Sequence, residues 1–410
     1  MGKDLSNKFY KKGANLENIQ EMNRSLVLRL IQRLNICSRA TIAKETGLKQ
    51  ATITNIVNDL IGWGLLKETG IIDGEKGRRS IDVTLSSEKY KVIGLRLTRN
   101  YYSTAIFDLS GDYSHIKTEP INIMDGSKSA LENIERSISE IIKKSPQYKI
   151  VGLGMAIPGP FFKSEGRIGL MSEFPGWEDI NLEEEIKSIF KFPVYLEHDA
   201  NAGALAEWLA RPHYNMPGTM IYIAAGQGIG AGIIIDGKLF RGSQGIAGEI
   251  GHTSIDYNGL QCSCGFKGCL EQYCSTISLV KDARSGLGKN PESILSIKCD
   301  LESIIKAVGE NDKYAVSMFE KTAGFLAIGI VNIINTFNPD LIIIGDELSR
   351  FNSKLLEFLK EKMKKMVLAP IFNNISLELS NFKSDPALIG AGDLVIDNIL
   401  HRPSIIKKLL

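Results

Sequence analysis

Four side chains of metal-binding types lie close together in one short segment and limit how this chain can fold. The segment GHTSIDYNGLQCSCGFKGCLEQY, residues 251–273, contains one histidine and three cysteines: His252, Cys262, Cys264 and Cys269. Tetrahedral zinc takes thiolate and imidazole ligands, and a C-x-C pair with a third cysteine five residues later lets a short loop wrap one ion. Gly265 and Gly268 permit the turns that such wrapping requires. The spacing predicts a metal loop, and the alternative is three small buried residues.

The composition places this loop in an ordinary globular chain. Its 410 residues, 43% hydrophobic and 23% charged, suffice for two or three domains. Six cysteines suit a metal cluster in a reducing compartment better than a disulfide framework, and we expect Cys37, Cys274 and Cys299 to be buried thiols. The first twenty residues contain no apolar core long enough for a secretory signal, and no window approaches the ~18 unbroken apolar residues of a membrane span. We expect a cytoplasmic protein that does not bind membranes.

The positive charge is concentrated near the N-terminus. Residues 1–80 contain fourteen Lys/Arg and eight Asp/Glu, whereas the remainder contains 35 and 39, so the net charge of +2 divides into +6 and −4. A basic module joined to a slightly acidic body favours a polyanionic partner for the first part.

Residues 18–62 have the pattern of three helices in a helix-turn-helix arrangement. In the first, over 18–35, apolar residues recur with a roughly helical period: Met22, Leu26, Leu28, Leu30, Ile31 and Leu34. Ser38 is suited to cap a second helix over 39–45, and Gly47 allows a tight turn after it. A third helix begins at about Gln50 and turns four apolar residues inward: Ile53, Ile56, Val57 and Leu60. In this arrangement the second helix of the pair enters the major groove of DNA.

The next segment, LLKETGIIDGEKGRRSIDVTL (65–85), predicts a β-hairpin with a cationic tip, as in the wing of a winged helix. The predicted DNA contacts on the helices and the wing are Arg39, Lys49, Gln50, Thr52, Thr54, Asn55, Lys76, Arg78 and Arg79. The alternative is a three-helix protein-interaction module with an incidental basic hairpin. Because one module reads few bases, we expect a homodimer or higher homo-oligomer on a two-fold operator.

The rest of the chain has the pattern of two similar lobes. From Tyr90, the sequence predicts three strands with tight turns, a helix over 127–144 and the buried strand IVGLGMAIPG (150–159). The same order begins again at TMIYIAAGQGIGAGIIIDGKLFRG (219–242), and the strand LIIIGDEL (341–348) follows later. Strand triplets followed by helix–strand units predict an α/β fold of two related lobes with a cleft between them.

The body resembles the ROK family (repressors, open reading frames and sugar kinases) over roughly residues 90–400. The matching motifs are EHDANAGALAEW (197–208), AAGQGIGAGIIIDGKLFRG (224–242), AGEIGH (247–252) and CSCGFKGCLE (262–271). The resemblance implies an actin/hexokinase-like fold for a ROK domain at 86–410, behind a winged helix-turn-helix domain at 1–85. This order of domains is that of the xylose-repressor and N-acetylglucosamine-repressor branch, which implies a sugar-responsive transcriptional repressor.

The resemblance also implies roles for residues of the loop and of the cleft. In the family pattern His252 is the fourth metal ligand, so the loop 252–269 would hold Zn²⁺; four protein ligands leave no open position, and the ion is expected to be structural. The pattern places Asp199, Glu249, His252 and Glu271 around a sugar ring, with His198 where the family usually has asparagine. Without that pattern, two glutamates near a metal loop would be assigned to the solvated surface.

The family's kinases phosphorylate sugars, and Asp199 stands at the position of their general base. The nucleotide side departs from the pattern of the kinases. An Asp-x-Gly-Gly-Thr phosphate loop is replaced by residues that include Arg96 and Arg99, a usual Thr by Gln227, and two glycines by Asp346 and Glu347. We therefore predict a sugar sensor with no catalytic residue. An active or bifunctional ROK sugar kinase, and a regulator that responds to a protein partner, remain alternatives; xylose is favoured by the branch alone.

Overall fold

The computed structural model describes residues 15–73, 79–122, 126–163, 165–169, 176–177, 180–211 and 218–409. Its N-terminal part contains three helices and a three-stranded sheet of order β1-β3-β2. In chain order these elements are α1 (Leu16–Leu34), β1 (Cys37–Ser38), α2 (Arg39–Thr46), α3 (Gln50–Gly62), β2 (Leu66–Asp73) and β3 (Arg79–Leu85). Lys76 and Arg78 lie outside the described residues, and Arg79 is described by its backbone alone.

The helix-turn-helix forms as the sequence predicts. The Ser38 hydroxyl accepts a hydrogen bond from the Thr41 N–H at 3.0 Å and caps α2. Gly47 ends α2 with a φ of +70°, a left-handed conformation that glycine adopts without strain. The inward residues of α3 are buried, as expected: Ile53, Ile56, Val57 and Leu60. The hairpin β2–β3 completes the winged helix.

The buried face of α1 differs from the predicted one. Leu28 and Ile31 are fully buried, but Met22 and Leu26 are 67% and 45% exposed. Burial along α1 begins at Ser25, and the first turns are mostly exposed, although Glu21 accepts hydrogen bonds from Ser404. A helical period therefore predicted the helix but not the side that is covered.

The first lobe of the body is built on a five-stranded sheet of order β10-β7-β4-β5-β6, in which β4, β5 and β6 are antiparallel and β4, β7 and β10 parallel. Its elements are β4 (Tyr90–Leu97), β5 (Tyr101–Asp108), β6 (Tyr113–Pro120), α4 (Gly126–Lys144), β7 (Lys149–Ile157), β8 (Phe161–Phe162), β9 (Arg167–Ile168), α5 (Leu182–Ile189), β10 (Val194–His198) and α6 (Asp199–Leu209).

The second lobe repeats this topology with the order β13-β12-β11-β14-β15. Its elements are β11 (Thr219–Ala225), β12 (Ile229–Ile235), β13 (Lys238–Leu239), α7 (Glu271–Cys274), α8 (Thr276–Gly286), α9 (Leu301–Gly309), α10 (Lys313–Phe337), β14 (Leu341–Gly345), α11 (Ser353–Met366), α12 (Ala369–Phe372), β15 (Ser376–Leu379), α13 (Pro386–His401) and α14 (Ser404–Leu409). Antiparallel β11, β12 and β13 are followed by parallel β14 and β15. The body therefore has the two-lobed α/β architecture that the sequence predicts.

Two helices join the lobes. The helix after the last strand of each lobe packs on the sheet of the other lobe: α6 on β11 and β12, and α13 on β4 and β7. The two helices also pack against each other along their lengths. Asp199, one of the predicted sugar-binding residues, begins α6, and the C-terminal end of α13 packs against α1 of the winged helix.

Helix α10 is long and apolar enough by composition to cross a membrane. In this fold it is the central helix of the second lobe, and 56% of its most apolar window is buried. Its buried residues, which include Phe319 and Ile330, belong to the core of that lobe. Its apolar composition is therefore explained by packing within the protein.

Candidate functional site

The predicted metal loop brings its four side chains together. The ligand atoms of His252, Cys262, Cys264 and Cys269 all lie within 4.8 Å of one another. The Cys262 Sγ is 3.8 Å from the His252 Nδ1, and the Sγ atoms of Cys264 and Cys269 are 3.5 Å apart. Four ligands at zinc–ligand distances of about 2.0–2.3 Å in a tetrahedron are separated by about 3.5–3.8 Å. The donor set and its spacing thus fit one zinc ion with no further position.

Two glycines shape the loop. Gly265 and Gly268 have φ angles of +94° and +73°, which non-glycine residues rarely adopt. A Cβ on Gly268 would also lie 1.8 Å from the carbonyl oxygen of Asp256. The cysteines therefore converge because the chain turns sharply at these two positions.

The five predicted sugar-binding residues line one cleft between the lobes: His198, Asp199, Glu249, His252 and Glu271. His198 ends β10, Asp199 begins α6, and Glu271 begins α7 directly after the metal loop. His252 turns Nδ1 toward the sulfurs. Because that nitrogen faces the metal position, Nε2 is left as the polar atom of its ring for a second partner.

His198 connects the two lobes at the base of the cleft. Its Nε2 lies 3.2 Å from the Asp199 Oδ1 and 3.9 Å from the Glu249 Oε1. A Cβ at Gly159 of the first lobe would be 2.4 Å from this Nε2, and one at Gly230 of the second lobe 3.3 Å from the His198 Cε1. The imidazole thus occupies a slot that two glycines leave open.

The carboxyl groups among the predicted sugar-binding residues have different surroundings. Burial raises the pKa of Glu249, and the nearby imidazoles of His198 and His252 oppose that rise. Glu271 is 9% exposed, and its Oε1 accepts a hydrogen bond from the Cys262 thiol at 3.6 Å. The structure therefore provides two enclosed carboxyl groups beside the metal loop, where the residue types alone favoured a solvated surface.

A buried arginine lies in the part of the cleft where the family resemblance predicts the phosphate loop. Arg96 is 7% exposed, and its guanidinium pairs with Asp346 at 2.7 Å and with Asp385. A third carboxylate, that of Asp199, lies 3.7 Å from the Arg96 Nη2. Burial acts to lower the pKa of Arg96, but the surrounding carboxylates raise it well above its ordinary value. The Arg96 side chain therefore remains positively charged. It stands in the segment that replaces the glycine-containing phosphate loop of the family's kinases.

The other substituted positions extend this network. Asp346 has a φ of +63°, a conformation that explains why glycine is usual there. Glu347 accepts hydrogen bonds from the Thr276 hydroxyl at 2.5 Å and from the Gln227 side-chain amide at 3.4 Å. Arg99 donates to the Gln227 carbonyl oxygen across the cleft at 3.4 Å. The residues that replace the phosphate-binding motifs thus contact one another.

The predicted DNA-contacting residues lie on and beside α3. Lys49, Gln50 and Asn55 are exposed, whereas Thr52 and Thr54 are half-buried and the Thr54 hydroxyl donates to the Gln50 carbonyl oxygen. Arg39 is held in an ion pair with Glu68 of β2 at 2.8 Å, so its guanidinium braces the base of the wing. As DNA contacts, these residues and those of the wing tip remain predictions.

Sequence reasoning did not find Asp385 or the ion cluster it belongs to. Asp385 caps α13 through the Ala387 N–H at 2.9 Å, and burial raises its pKa while Arg96 opposes that rise. Its signal in the sequence is an Asp-Pro pair at the start of an apolar helix, which predicts a cap but no partner 289 residues away.

Comparisons with known proteins agree with this architecture. The family model described as "ROK family" matches residues 92–398. The protein named "Xylose repressor" of Caldicellulosiruptor bescii is 32% identical over 393 residues, which cover 94% of this chain and 98% of that protein. The crystal structure of a ROK family transcriptional regulator, a homolog of the E. coli MLC protein, matches with a TM-score of 0.81 at 26% identity and covers 95% of this chain and 99% of that one.

A ROK family glucokinase from Streptomyces griseus, solved in complex with glucose and AMPPNP, matches with a TM-score of 0.65 at 24% identity. The match covers 74% of this chain and 98% of the glucokinase chain, and it shows the shared actin/hexokinase-like fold of the body. The family match and the similarity to a repressor along nearly the whole chain lead to one conclusion: this chain belongs to the ROK family.

Proposed function

We propose that this protein is a DNA-binding transcriptional repressor whose two-lobed body binds a free sugar and does not phosphorylate it. One observation carries the proposal: a winged helix precedes a cleft that keeps the sugar-side carboxylates but is occupied on the nucleotide side by the Arg96 ion cluster. The relative named "Xylose repressor" and the solved ROK transcriptional regulator support the same function.

The sugar is recognised by hydroxyl-to-carboxylate and hydroxyl-to-imidazole hydrogen bonds. A sugar hydroxyl both donates and accepts, so a site for it needs acceptors such as Asp199, Glu249 and Glu271 and a group that can play either part, such as His252. These side chains come from both lobes. A ligand that contacts both lobes favours the closure state in which all its contacts are made.

The metal has a supporting role in this proposal. His252, Cys262, Cys264 and Cys269 would hold zinc, which fixes the orientation of the His252 ring and supplies no open position for chemistry. Glu271 begins α7 immediately after the loop, so the same loop also orients this carboxylate. The metal site thus sets the angle of two groups in the cleft.

The alternative of an active sugar kinase has the retained Asp199 in its favour. A kinase base must accept a proton from the sugar hydroxyl, but Asp199 faces the buried cation of Arg96. The guanidinium also occupies the region where backbone N–H groups and a metal ion would hold the phosphates in the family's kinases. The proximity of Asp199 to Arg96 and the position of the guanidinium both favour a sugar sensor over an active kinase.

On DNA, two copies would place two winged helices on half-sites about 34 Å apart, one helical turn. Each α3 would present Lys49, Gln50 and Asn55 to the major groove, and the wing would lie along the backbone. A change of lobe closure alters the spacing of the two modules, and operator affinity follows that spacing.

The test measures operator affinity with and without sugar. DNA selected in vitro by the purified protein is titrated by fluorescence anisotropy, alone and with D-xylose, D-glucose or N-acetyl-D-glucosamine. One of these sugars should change the Kd for DNA by roughly 5- to 150-fold, the range of ordinary allosteric coupling. DNA binding that no sugar alters would favour the third class, a regulator that responds to a protein partner.

A wing variant tests the DNA-binding part separately. Changing Arg78→Ala and Arg79→Ala together should weaken binding to all sequences and reduce the slope of log K against log salt by about two, because phosphate contacts are lost. Gln50→Ala should instead alter sequence preference. Unchanged affinity in the double variant would contradict the wing assignment.

A further inference from the structure

The ion cluster of Arg96 lies at one end of α13. Asp385, which pairs with Arg96, is the N-cap of this helix. The same guanidinium is 3.7 Å from Asp199, the first residue of α6. The Arg96 Nε is buried and has no hydrogen-bond partner among the described residues. One side chain thus links the sugar-side carboxylate to the start of α13.

Helices α6 and α13 are packed too closely to move independently. A Cβ on Gly390 of α13 would lie 1.8 Å from the Ala202 carbonyl oxygen of α6. On the other side of α13, a Cβ on Gly154 of β7 would lie 1.8 Å from the Ala391 carbonyl oxygen. Backbone-to-backbone contact of this kind leaves no slack, so a shift at one end of α13 moves its whole length.

The far end of α13 is joined to the winged helix. The helix has 16 residues and is about 24 Å long. Near its C-terminus Asp397 pairs with Arg29 of α1 at 2.8 Å. Ile396 and Ile399 are buried in one core with Leu28 of α1. Directly after α13, Ser404 donates to Glu21 of α1 at 2.7 Å. The C-terminal end of α13 is therefore part of the support of α1.

We propose that Arg96 is a positioning residue that ties Asp199 to Asp385, and that α13 carries the occupancy of the cleft to the winged helix through the Asp397–Arg29 ion pair. The inference rests on the proposed function, because it assigns the path by which a sugar changes operator affinity. A sugar hydroxyl that donates to Asp199 competes with Arg96 for that carboxylate. The Arg96–Asp385 contact, and with it the position of α13, then depends on whether the cleft is filled.

The experiment separates sugar binding from its effect on DNA. Sugar affinity is measured by calorimetry with D-xylose, D-glucose and N-acetyl-D-glucosamine, and operator affinity with and without sugar on DNA selected by the wild-type protein. Asp397→Asn removes the pairing charge far from the cleft. We expect its sugar Kd to stay within about two-fold of wild type, while the effect of sugar on operator Kd falls by roughly two- to five-fold, the range that a half-exposed ion pair can contribute.

A charge swap keeps the test meaningful if removal of the pair disturbs folding. The double variant Arg29→Asp with Asp397→Arg restores an ion pair with the two charges exchanged between α1 and α13. It should restore at least half of the sugar effect on operator Kd that Asp397→Asn loses. The matched control is Asp282→Lys with Lys321→Asp, a 2.7 Å pair on the second lobe that touches neither helix end. This control should leave sugar affinity and coupling unchanged.

The role of Arg96 has a readout of its own. Arg96→Gln leaves the buried carboxyl group of Asp385, which faces Asp346 and Tyr101, without the cation that opposes the burial-raised pKa of this group. Protonation of Asp385 then becomes easier, and sugar affinity should drop between about pH 8 and pH 6 more steeply than in wild type. A merely structural loss would lower affinity equally at both pH values.

The outcomes distinguish two failures. If no sugar of the panel binds the wild-type protein, the proposed function is wrong and this inference falls with it. If a sugar binds and changes operator affinity, but Asp397→Asn responds as fully as wild type, the path through α13 is wrong and the proposed function stands.

Discussion

At the scale of single residues, the thiolates of the metal loop are the first to be tested. Cys269 is fully buried and lies 3.5 Å from Cys264, whereas Cys274 is an equally buried thiol outside the cluster. We expect purified wild-type protein to contain one zinc ion per chain, and Cys269→Ser to lose it. The sugar Kd of that variant should rise about 10- to 100-fold, because the orientation of His252 and Glu271 depends on the loop.

Cys274→Ser is the matched control for the metal prediction. It removes a buried thiol of the same type from α7 and leaves the four predicted ligands in place. Zinc content measured by atomic emission should match wild type in this variant. Zinc retained at one ion per chain in Cys269→Ser, or full sugar affinity without zinc, would contradict the proposed metal site.

Asp393 in α13 gives a pH-dependent prediction. Burial, with a smaller contribution from the Asp397 carboxylate, raises its pKa from 3.8 to about 7. Between these values the folded protein binds more protons than the unfolded chain, so stability from this group is present at low pH and lost as pH rises toward 7. The substitution Asp393→Asn removes the titrating carboxyl group and with it this loss of stability at higher pH. The variant should gain little near pH 4 and on the order of 2–4 kcal/mol at pH 8.

Thermal unfolding of the two proteins at a series of pH values checks this sign. The melting temperature of Asp393→Asn should exceed that of wild type at pH 8, and the difference should shrink steadily as the pH is lowered to 5. A difference of the same size across the whole range would mean that the carboxyl group of Asp393 is not the titrating group.

The predicted metal loop and the Arg96 ion cluster differ in how far the sequence alone could predict them. The three cysteines of the predicted metal site lie within one loop, so their spacing alone predicted their convergence, whereas His252 was assigned to this site by the family resemblance. Arg96 was identified as a departure from a phosphate loop, but its partners Asp346 and Asp385 come from the other end of the chain. No local pattern connects positions 250 and 289 residues apart, and only the fold brings them together.

At the scale of secondary-structure elements, the close packing of α13 on α6 is the feature to test. Gly390→Ala would force a Cβ to within 1.8 Å of a backbone oxygen, and α13 must move away. We expect a loss of about 1–3 kcal/mol in stability, together with a weakened sugar effect on operator binding. Gly324→Ala in α10 is the matched control, because nothing lies within 4 Å of a Cβ there.

The control is expected to change stability in the opposite direction. Alanine in the middle of a helix, at a site with open space for its Cβ, stabilises by about 0.5–1 kcal/mol relative to glycine. Melting temperatures of the two variants should therefore move to opposite sides of wild type. If Gly390→Ala were as stable as Gly324→Ala, the two joining helices would have slack, and the rigid link between cleft and winged helix would lose its basis.

The secondary-structure elements were predicted correctly where buried residues recur at regular intervals along one face of a strand or helix. The repeated order of three antiparallel and two parallel strands follows from short turns and from alternating strand and helix patterns, and both lobes have it. Helix α1 was predicted, but Met22 on its surface is 67% exposed because its first turns extend beyond the neighbouring core. Periodicity identifies a helix, whereas the packing partner decides which residues are buried.

At the scale of the whole molecule, the two lobes share the fold of the ROK glucokinase, and Arg96 with its carboxylate partners lies where the family resemblance predicts the phosphate loop. In the cleft, Arg96 of the first lobe pairs with Asp346 of the second, so the lobes are joined by a side chain where a kinase is joined by a nucleotide and its metal. Under the proposed function, this ion pair would let the two lobes close on a sugar without ATP, which would explain why a transcriptional repressor has a body with the fold of a sugar kinase.

The corresponding prediction concerns ATP turnover. Wild-type protein incubated with ATP, Mg²⁺ and each of the three sugars should form no ADP above the sugar-free control in a coupled assay, because the phosphates have no backbone cradle and Asp199 faces a buried cation. Arg96→Gly should not restore turnover, since Gln227, Asp346 and Glu347 still fill the other phosphate-side positions. Sugar-dependent ADP release by the wild-type protein would establish the alternative kinase function, whereas sugar-dependent operator binding without it would leave the sensor.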